Sequence, residues 1–124
     1  MKKLIILPSQ DSPEVRFDPA GHLSISGISV PENVNLFYQE IFEWIEEFKS
    51  NMPSEVILDL KLEYMNTSSV KMIVALLKEL HQYCEAEQSK FQVNWICDQD
   101  DEDLIEEGEL LEESVGIKFN LVYT

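Results

Sequence analysis

A chain of 124 residues with 44% hydrophobic and 10% aromatic side chains has the size and composition of one globular domain, residues 1–124, and not of a disordered segment. Its 24 acidic against 9 basic residues leave a net charge of −15, which argues against nucleic-acid and membrane-surface partners because such a surface repels phosphate backbones and anionic headgroups. Two cysteines, Cys84 and Cys97, are too few for a disulfide framework, and no apolar run reaches the length of a secretory signal core or a membrane span, so the chain reads as cytoplasmic with reduced, core-packed thiols.

The elements follow in chain order. Leu4–Leu7 reads as a short strand. Glu14–Asp18 and His22–Gly27 read as the arms of a β-hairpin around Pro19-Ala20-Gly21, with Leu23, Ile25 and Ile28 supplying the apolar alternation. From Val30 to Lys49 the period becomes helical: Phe37, Ile41, Trp44, Ile45 and Phe48 form one stripe, flanked by Tyr38 and Phe42. Pro31 and Glu32 suit the first turn of that helix, and Met52-Pro53 ends it. Val56–Leu60 is a continuous apolar run expected to be a strand buried on both faces, continuing through Leu62 toward Tyr64. A second helix runs from Thr67 to about Glu85, with Val70, Ile73, Val74, Leu77, Leu80 and Cys84 inward. Phe91, Val93, Trp95 and Cys97 alternate as a strand; an acidic helix follows with Leu104, Leu111 and Val115 inward; Ile117, Phe119, Leu121 and Tyr123 alternate in a last strand. The order predicts an α/β sandwich: an N-terminal hairpin, then alternating helices and strands, about six mostly parallel strands with three helices on one or both faces.

The densest chemistry lies where the buried strand hands over to the second helix, at Tyr64-Met65-Asn66-Thr67-Ser68-Ser69-Val70-Lys71. Asn66 or Thr67 can cap the helix by accepting from its first free amides. That accounts for one residue. Ser68 and Ser69, poor helix formers, then have no capping task. A phosphorylated hydroxyl would suit the same place, because a helix N-terminus offers unpaired amides and the positive end of the macrodipole, with Lys71 one turn on to shield the charge. Spacing alone leaves cap and phospho-switch both open.

Three other features carry less. Asp98–Glu113 holds ten carboxylates and no basic residue. Asp98, Asp100, Glu102 and Glu109 occupy the first, third, fifth and twelfth places of a calcium-loop register, but Asp103 stands where its glycine belongs, so a solvated helix face or a docking surface for a basic patch is the better reading. Glu32, Asn33 and Tyr38 are candidates for partner contact, Asn33 and Tyr38 because they are hard to place in a core. His22 and His81 lack motif-spaced partners and no glycine-rich loop exists, so no metal, cofactor or catalytic residue is assigned. A small metal-dependent enzyme built on Asp98 or Asp101 is the remote alternative. The aromatic surface of the first helix leaves a homodimer open.

Asn66-Thr67-Ser68-Ser69 after Tyr64, with Gly27-Ile28-Ser29-Val30-Pro31-Glu32-Asn33 and Phe37-Tyr38 upstream, resembles the SiaC family of bacterial regulatory phosphoproteins. Trp95, Asp100-Asp101-Glu102-Asp103 and Gly108-Glu109 continue the likeness, so that it spans nearly the whole chain in order. The resemblance implies a STAS-like fold related to anti-sigma factor antagonists and no enzymatic activity. It implies reversible phosphorylation of Thr67 by a partner protein kinase and its removal by a PP2C-type phosphatase. It further implies that the unmodified form binds and activates a diguanylate cyclase, in cyclic di-GMP signalling and the control of biofilm or aggregation. The residues expected at the partner surface are Glu32, Asn33, Tyr38, Tyr64, Asn66, Ser68, Ser69 and Lys71. Two positions depart from the family pattern: Ser12-Pro13 replaces an expected Thr-Pro, and Val70 stands where a polar residue is common. The alternative is an anti-sigma factor antagonist in a partner-switching system with Ser68 as acceptor, against which the Asn-led motif, in place of Asp-x-Ser, argues.

Overall fold

Apolar alternation in the first third of the chain produces β1 (Leu4–Ile6), β2 (Glu14–Phe17) and β3 (His22–Ser29) in the computed structural model, which describes residues 1–124. The hairpin turn between β2 and β3 depends on Gly21, whose φ is +117° and where a Cβ would lie 2.4 Å from the Glu55 carbonyl oxygen. The helical period then gives α1 (Val34–Phe48), followed by β4 (Glu55–Met65), α2 (Thr67–Ala86), β5 (Lys90–Cys97), α3 (Glu102–Val115) and β6 (Phe119–Tyr123). A short 3-10 turn, Lys49–Asn51, closes α1 ahead of Pro53.

The sheet order is β1-β2-β3-β4-β5-β6, antiparallel through β3 and parallel from there on. Because the order follows the chain, every crossover steps in the same direction, and right-handed crossovers then place all three helices on one face. This corrects the expectation that β4 is buried on both sides. Val56, Leu58, Leu60 and Leu62 are at most 2% exposed, whereas Ile57 and Asp59 are only half-buried and Lys61 and Glu63 are exposed. A parallel sheet with one uncovered face needs polar groups there. Asp59 supplies them: its carboxylate bonds His22 Nε2 at 2.7 Å and accepts from Asn94 Nδ2 at 2.8 Å, and Asn120 Nδ2 donates on to Asn94 Oδ1 at 3.0 Å.

The core is one cluster of 26 apolar side chains between helices and sheet, including both cysteines as free, buried thiols. Its two tryptophans are anchored by their indole N–H groups, Trp44 to the Lys2 carbonyl at 2.9 Å and Trp95 to the Leu104 carbonyl at 2.8 Å. Two further expectations change. The first helix begins at Val34, so Pro31 and Glu32 lie before it; Asn33 caps it, its Oδ1 accepting from Leu36 N at 3.0 Å. Leu121 and Tyr123 alternate as expected but remain 42% and 51% exposed, because β6 is the edge strand, with a neighbour on one side only. No helix is long and apolar enough to cross a membrane.

Candidate functional site

The carboxyl ends of β3 and β4 deliver the chain into the N-termini of α1 and α2, and the residues singled out by motif gather there. A one-residue register shift decides what they present. Gly27 pairs with Leu62 but Ile28 pairs with Tyr64, leaving Glu63 as the extra residue of a bulge. Strict alternation after Val56, Leu58, Leu60 and Leu62 would aim Tyr64 into the core. The bulge turns it outward, 57% exposed beside Ile28, and Met65 takes the inward place.

Asn66 then caps α2. Its Oδ1 accepts from Ser69 N at 2.9 Å and its carbonyl accepts from Val70 N at 3.0 Å, which leaves the Thr67 and Ser68 amides without an intrahelical acceptor. The same residue ties the two helix starts together, because Asn66 N donates to the Ser29 carbonyl at 3.1 Å. Asn66 is thus the cap that sequence reasoning shared between it and Thr67. Thr67 is released to the surface, exposed, its hydroxyl without a partner in the chain; Ser68 and Lys71 are exposed too, and Lys71 forms no ion pair.

Tyr38 and Ser69 do not join that surface. Both are fully buried, and with Ser29 they form a hydroxyl cluster beneath the helix starts: Ser29 Oγ donates to Ser69 Oγ at 2.8 Å and lies 2.7 Å from the Tyr38 hydroxyl. Burial pushes the Tyr38 phenol above its ordinary pKa, and because the Ser29 hydroxyl already donates to Ser69, the Tyr38 hydroxyl is the one left to donate to Ser29. Tyr38 and Phe37 have exchanged the roles expected of them. The buried stripe runs Tyr38, Ile41, Trp44, Ile45, Phe48, and Phe37 is only half-buried against the Tyr38 ring. The reason is that the phenol finds hydrogen-bond partners inside, which removes the cost of burying it. Ser69, for which no capping task remained, has this one instead. Ser29 was not anticipated as a site residue at all; the signal was there, since it continues the inward phase of Leu23 and Ile25 as the one polar residue of that row.

The surface patch therefore comprises Glu32 and Asn33 from the start of α1 and Tyr64, Thr67, Ser68 and Lys71 from the start of α2, with half-buried Asn66 between them and exposed Leu36 alongside. None of the five principal clefts is lined by any of these residues. The acidic segment is separate. Asp98, Asp100, Asp101, Glu102 and Asp103 border an open cleft at the end of β5. Two of these carboxylates are occupied by the backbone, Asp98 accepting from Asp100 N at 2.8 Å and Asp101 capping α3 through Leu104 N at 3.1 Å. No three His, Cys, Asp or Glu side chains converge as metal ligands.

Comparison with known proteins bears on the whole chain. The model of the SiaC family of regulatory phosphoproteins matches residues 6–124. An uncharacterized protein of Pseudomonas aeruginosa (strain UCBPP-PA14) is 40% identical over 86 residues, covering 66% of this chain and 68% of its own. The structure of SiaC of Pseudomonas aeruginosa superposes with a TM-score of 0.82 at 30% identity, covering 100% of this chain and 98% of that one. The SiaC chain in the crystal structure of the diguanylate cyclase SiaD in complex with its activator SiaC, from the same organism, gives 0.83 at 32% identity, covering 98% and 99%.

Proposed function

The chain belongs to the SiaC family of regulatory phosphoproteins, and from that premise we propose that reversible phosphorylation of Thr67 governs its binding to, and activation of, a diguanylate cyclase. In this reading residues 1–124 act as one cytoplasmic STAS-like domain that works by contact and has no turnover of its own. A protein kinase adds the phosphate and a PP2C-type phosphatase removes it.

The observation that carries the reading is the division of labour at the start of α2. Asn66 holds the cap and Ser69 is buried in the hydroxyl cluster, so Thr67 is exposed with its hydroxyl free, at the first helical position. A phosphate there adds about −1.5 to −2 charges beside the open Thr67 and Ser68 amides and Lys71. The fold accommodates it. A partner lying on Tyr64, Leu36 and Ile28 does not, because the charge would have to be desolvated within the contact. The activator role of a SiaC that is 32% identical supports the cyclase as that partner.

Phosphosite mapping by mass spectrometry and cyclase binding by the variants test this together. Phosphate is expected on Thr67. Thr67→Ala should bind the cyclase as the unmodified protein does, and Thr67→Glu should bind at least about tenfold more weakly while keeping or slightly raising thermal stability. Equal binding by all three forms would sink the switch. Phosphate on Ser68 alone would favour the anti-sigma antagonist reading instead.

A further inference from the structure

Helix α3 carries more negative charge than its own stability calls for. Glu102 and Asp103 occupy the first turn, where carboxylates favour the macrodipole. The acids continue through Glu106, Glu107, Glu109, Glu112 and Glu113 to a last turn without any basic residue, which sets like charges at i,i+4 in Glu102/Glu106, Asp103/Glu107 and Glu109/Glu113. Glu112 has a structural task, accepting from Phe119 N at 2.6 Å. The others have none of that kind, and none of the five ion pairs in the chain involves residues 98–113.

These charges are not spread over bare helix. Asp103, Glu106 and Glu107 edge a groove of about 310 Å³ between α2 and α3 that also includes Val70, Leu111 and Ser114 and has Leu110, 57% exposed, on its rim. Glu107 is half-buried without a cation, and that burial pushes its carboxyl above the ordinary value. We propose that this groove docks a cationic amphipathic helix of a partner protein, seating an apolar side chain against Val70, Leu110 and Leu111 and setting Lys or Arg against Asp103, Glu106 and Glu107. Charge complementarity selects this occupant. A second copy of a chain of net charge −15, an anionic lipid surface and a nucleic acid would all be repelled. The shape agrees: rim positions 103, 106, 107, 110 and 114 recur at helical spacing along a row of about 16 Å, the length over which a partner helix presents anchors at i, i+3, i+4 and i+7. Val70 lies one turn from Thr67, so the groove adjoins the proposed switch without requiring that Thr67 be modified.

The test is a titration of the isotopically labelled chain, followed by amide NMR shifts, with a synthetic amphipathic peptide of one leucine row flanked by lysines. Shifts are expected to centre on Val70, Leu110, Leu111 and Ser114. Affinity should fall at least about tenfold when the peptide's leucines become serine, when the chain carries Leu110→Ser, or when it carries Asp103→Asn, Glu106→Gln and Glu107→Gln together, with circular dichroism confirming that each variant is folded. Absence of binding, equal binding of the serine peptide, or shifts spread equally over Glu40, Glu43 and Glu47 of α1 would overturn the proposal, leaving at most bulk attraction to an acidic protein. Thr67→Glu should bind the cationic peptide at least as tightly as the unaltered chain, the opposite of its effect on the cyclase, so this result and the cyclase result can fail separately.

Discussion

Helices α2 and α3 start alike and are finished differently. Each rises from the carboxyl end of a core strand, and each is capped by a side-chain oxygen three residues before the amide it serves, Asn66 to Ser69 and Asp101 to Leu104. In α3 the positive end of the helix is already compensated by Glu102 and Asp103; in α2 the first turn holds no acid, only Thr67, Ser68 and Ser69. One helix start has its negative charge built in, and the other has the amides and the hydroxyl to receive one. Their seats on the sheet differ as well. The α2 start rests on the buried hydroxyl cluster of Ser29, Tyr38 and Ser69, whereas α3 lies close on β5 because Gly108 has no side chain, a Cβ there falling 2.6 Å from Trp95 Cδ1.

The largest effect should come from breaking the α3 seat. Gly108→Ala forces the helix off a buried indole that is itself bonded to Leu104, a net loss of about 1–3 kcal/mol despite alanine's better helix propensity. Denaturant titration followed by tryptophan fluorescence would show it as a lower midpoint; an unchanged midpoint would mean that α3 is not held by this contact. The matching change under α2, Ser29→Ala, removes the shared partner of two buried hydroxyls and should cost about 1–2 kcal/mol. Amide exchange should then quicken in the first turn of α2 while that of α3 stays protected, which separates the two seats.

The smallest effect sharpens the charge comparison. Burial holds Glu107 above the ordinary carboxylate value, so the folded protein favours its protonated form. The penalty is full above the raised value, shrinks as pH falls between there and the ordinary pKa of about 4.3, and is gone below it. Glu107→Gln should therefore stabilise the protein at neutral pH by no more than about 0.5 kcal/mol, solvent screening being substantial at a half-exposed position, with no gain at pH 3. Thermal melts of both forms across pH would read it; a gain that persisted at pH 3 would assign the effect to packing.

Much of this is legible in the sequence. The period changes over Val30–Lys49 and from Thr67 to about Glu85, the alternation of Val93, Trp95 and Cys97, and the βαβ order pointed to the six strands, three helices and mostly parallel sheet that the chain forms. The motif Asn66-Thr67-Ser68-Ser69 falls between a strand and a helix as its composition implied, and its order along the chain with Gly27–Asn33 and Trp95 carried the family. These are local or patterned properties: a side-chain period and a cap are written in neighbouring residues.

What the linear pattern did not contain was decided by contacts across elements. Tyr38 and Ser69 could be placed only when Ser29 arrived from β3 to satisfy their hydroxyls, since a polar group enters a core only where a partner is waiting. Tyr64 faces outward because one bulge residue, Glu63, inverts the phase of β4, and periodicity cannot count a residue it does not know to skip. Whether β4 was covered on one face or two depended on the direction of successive crossovers. The sequence by itself determined the elements, their order and the chemistry present at the α2 start; the tertiary structure alone decided which of four adjacent polar residues cap, which are buried and which reach solvent, because that choice depends on partners up to 40 residues away.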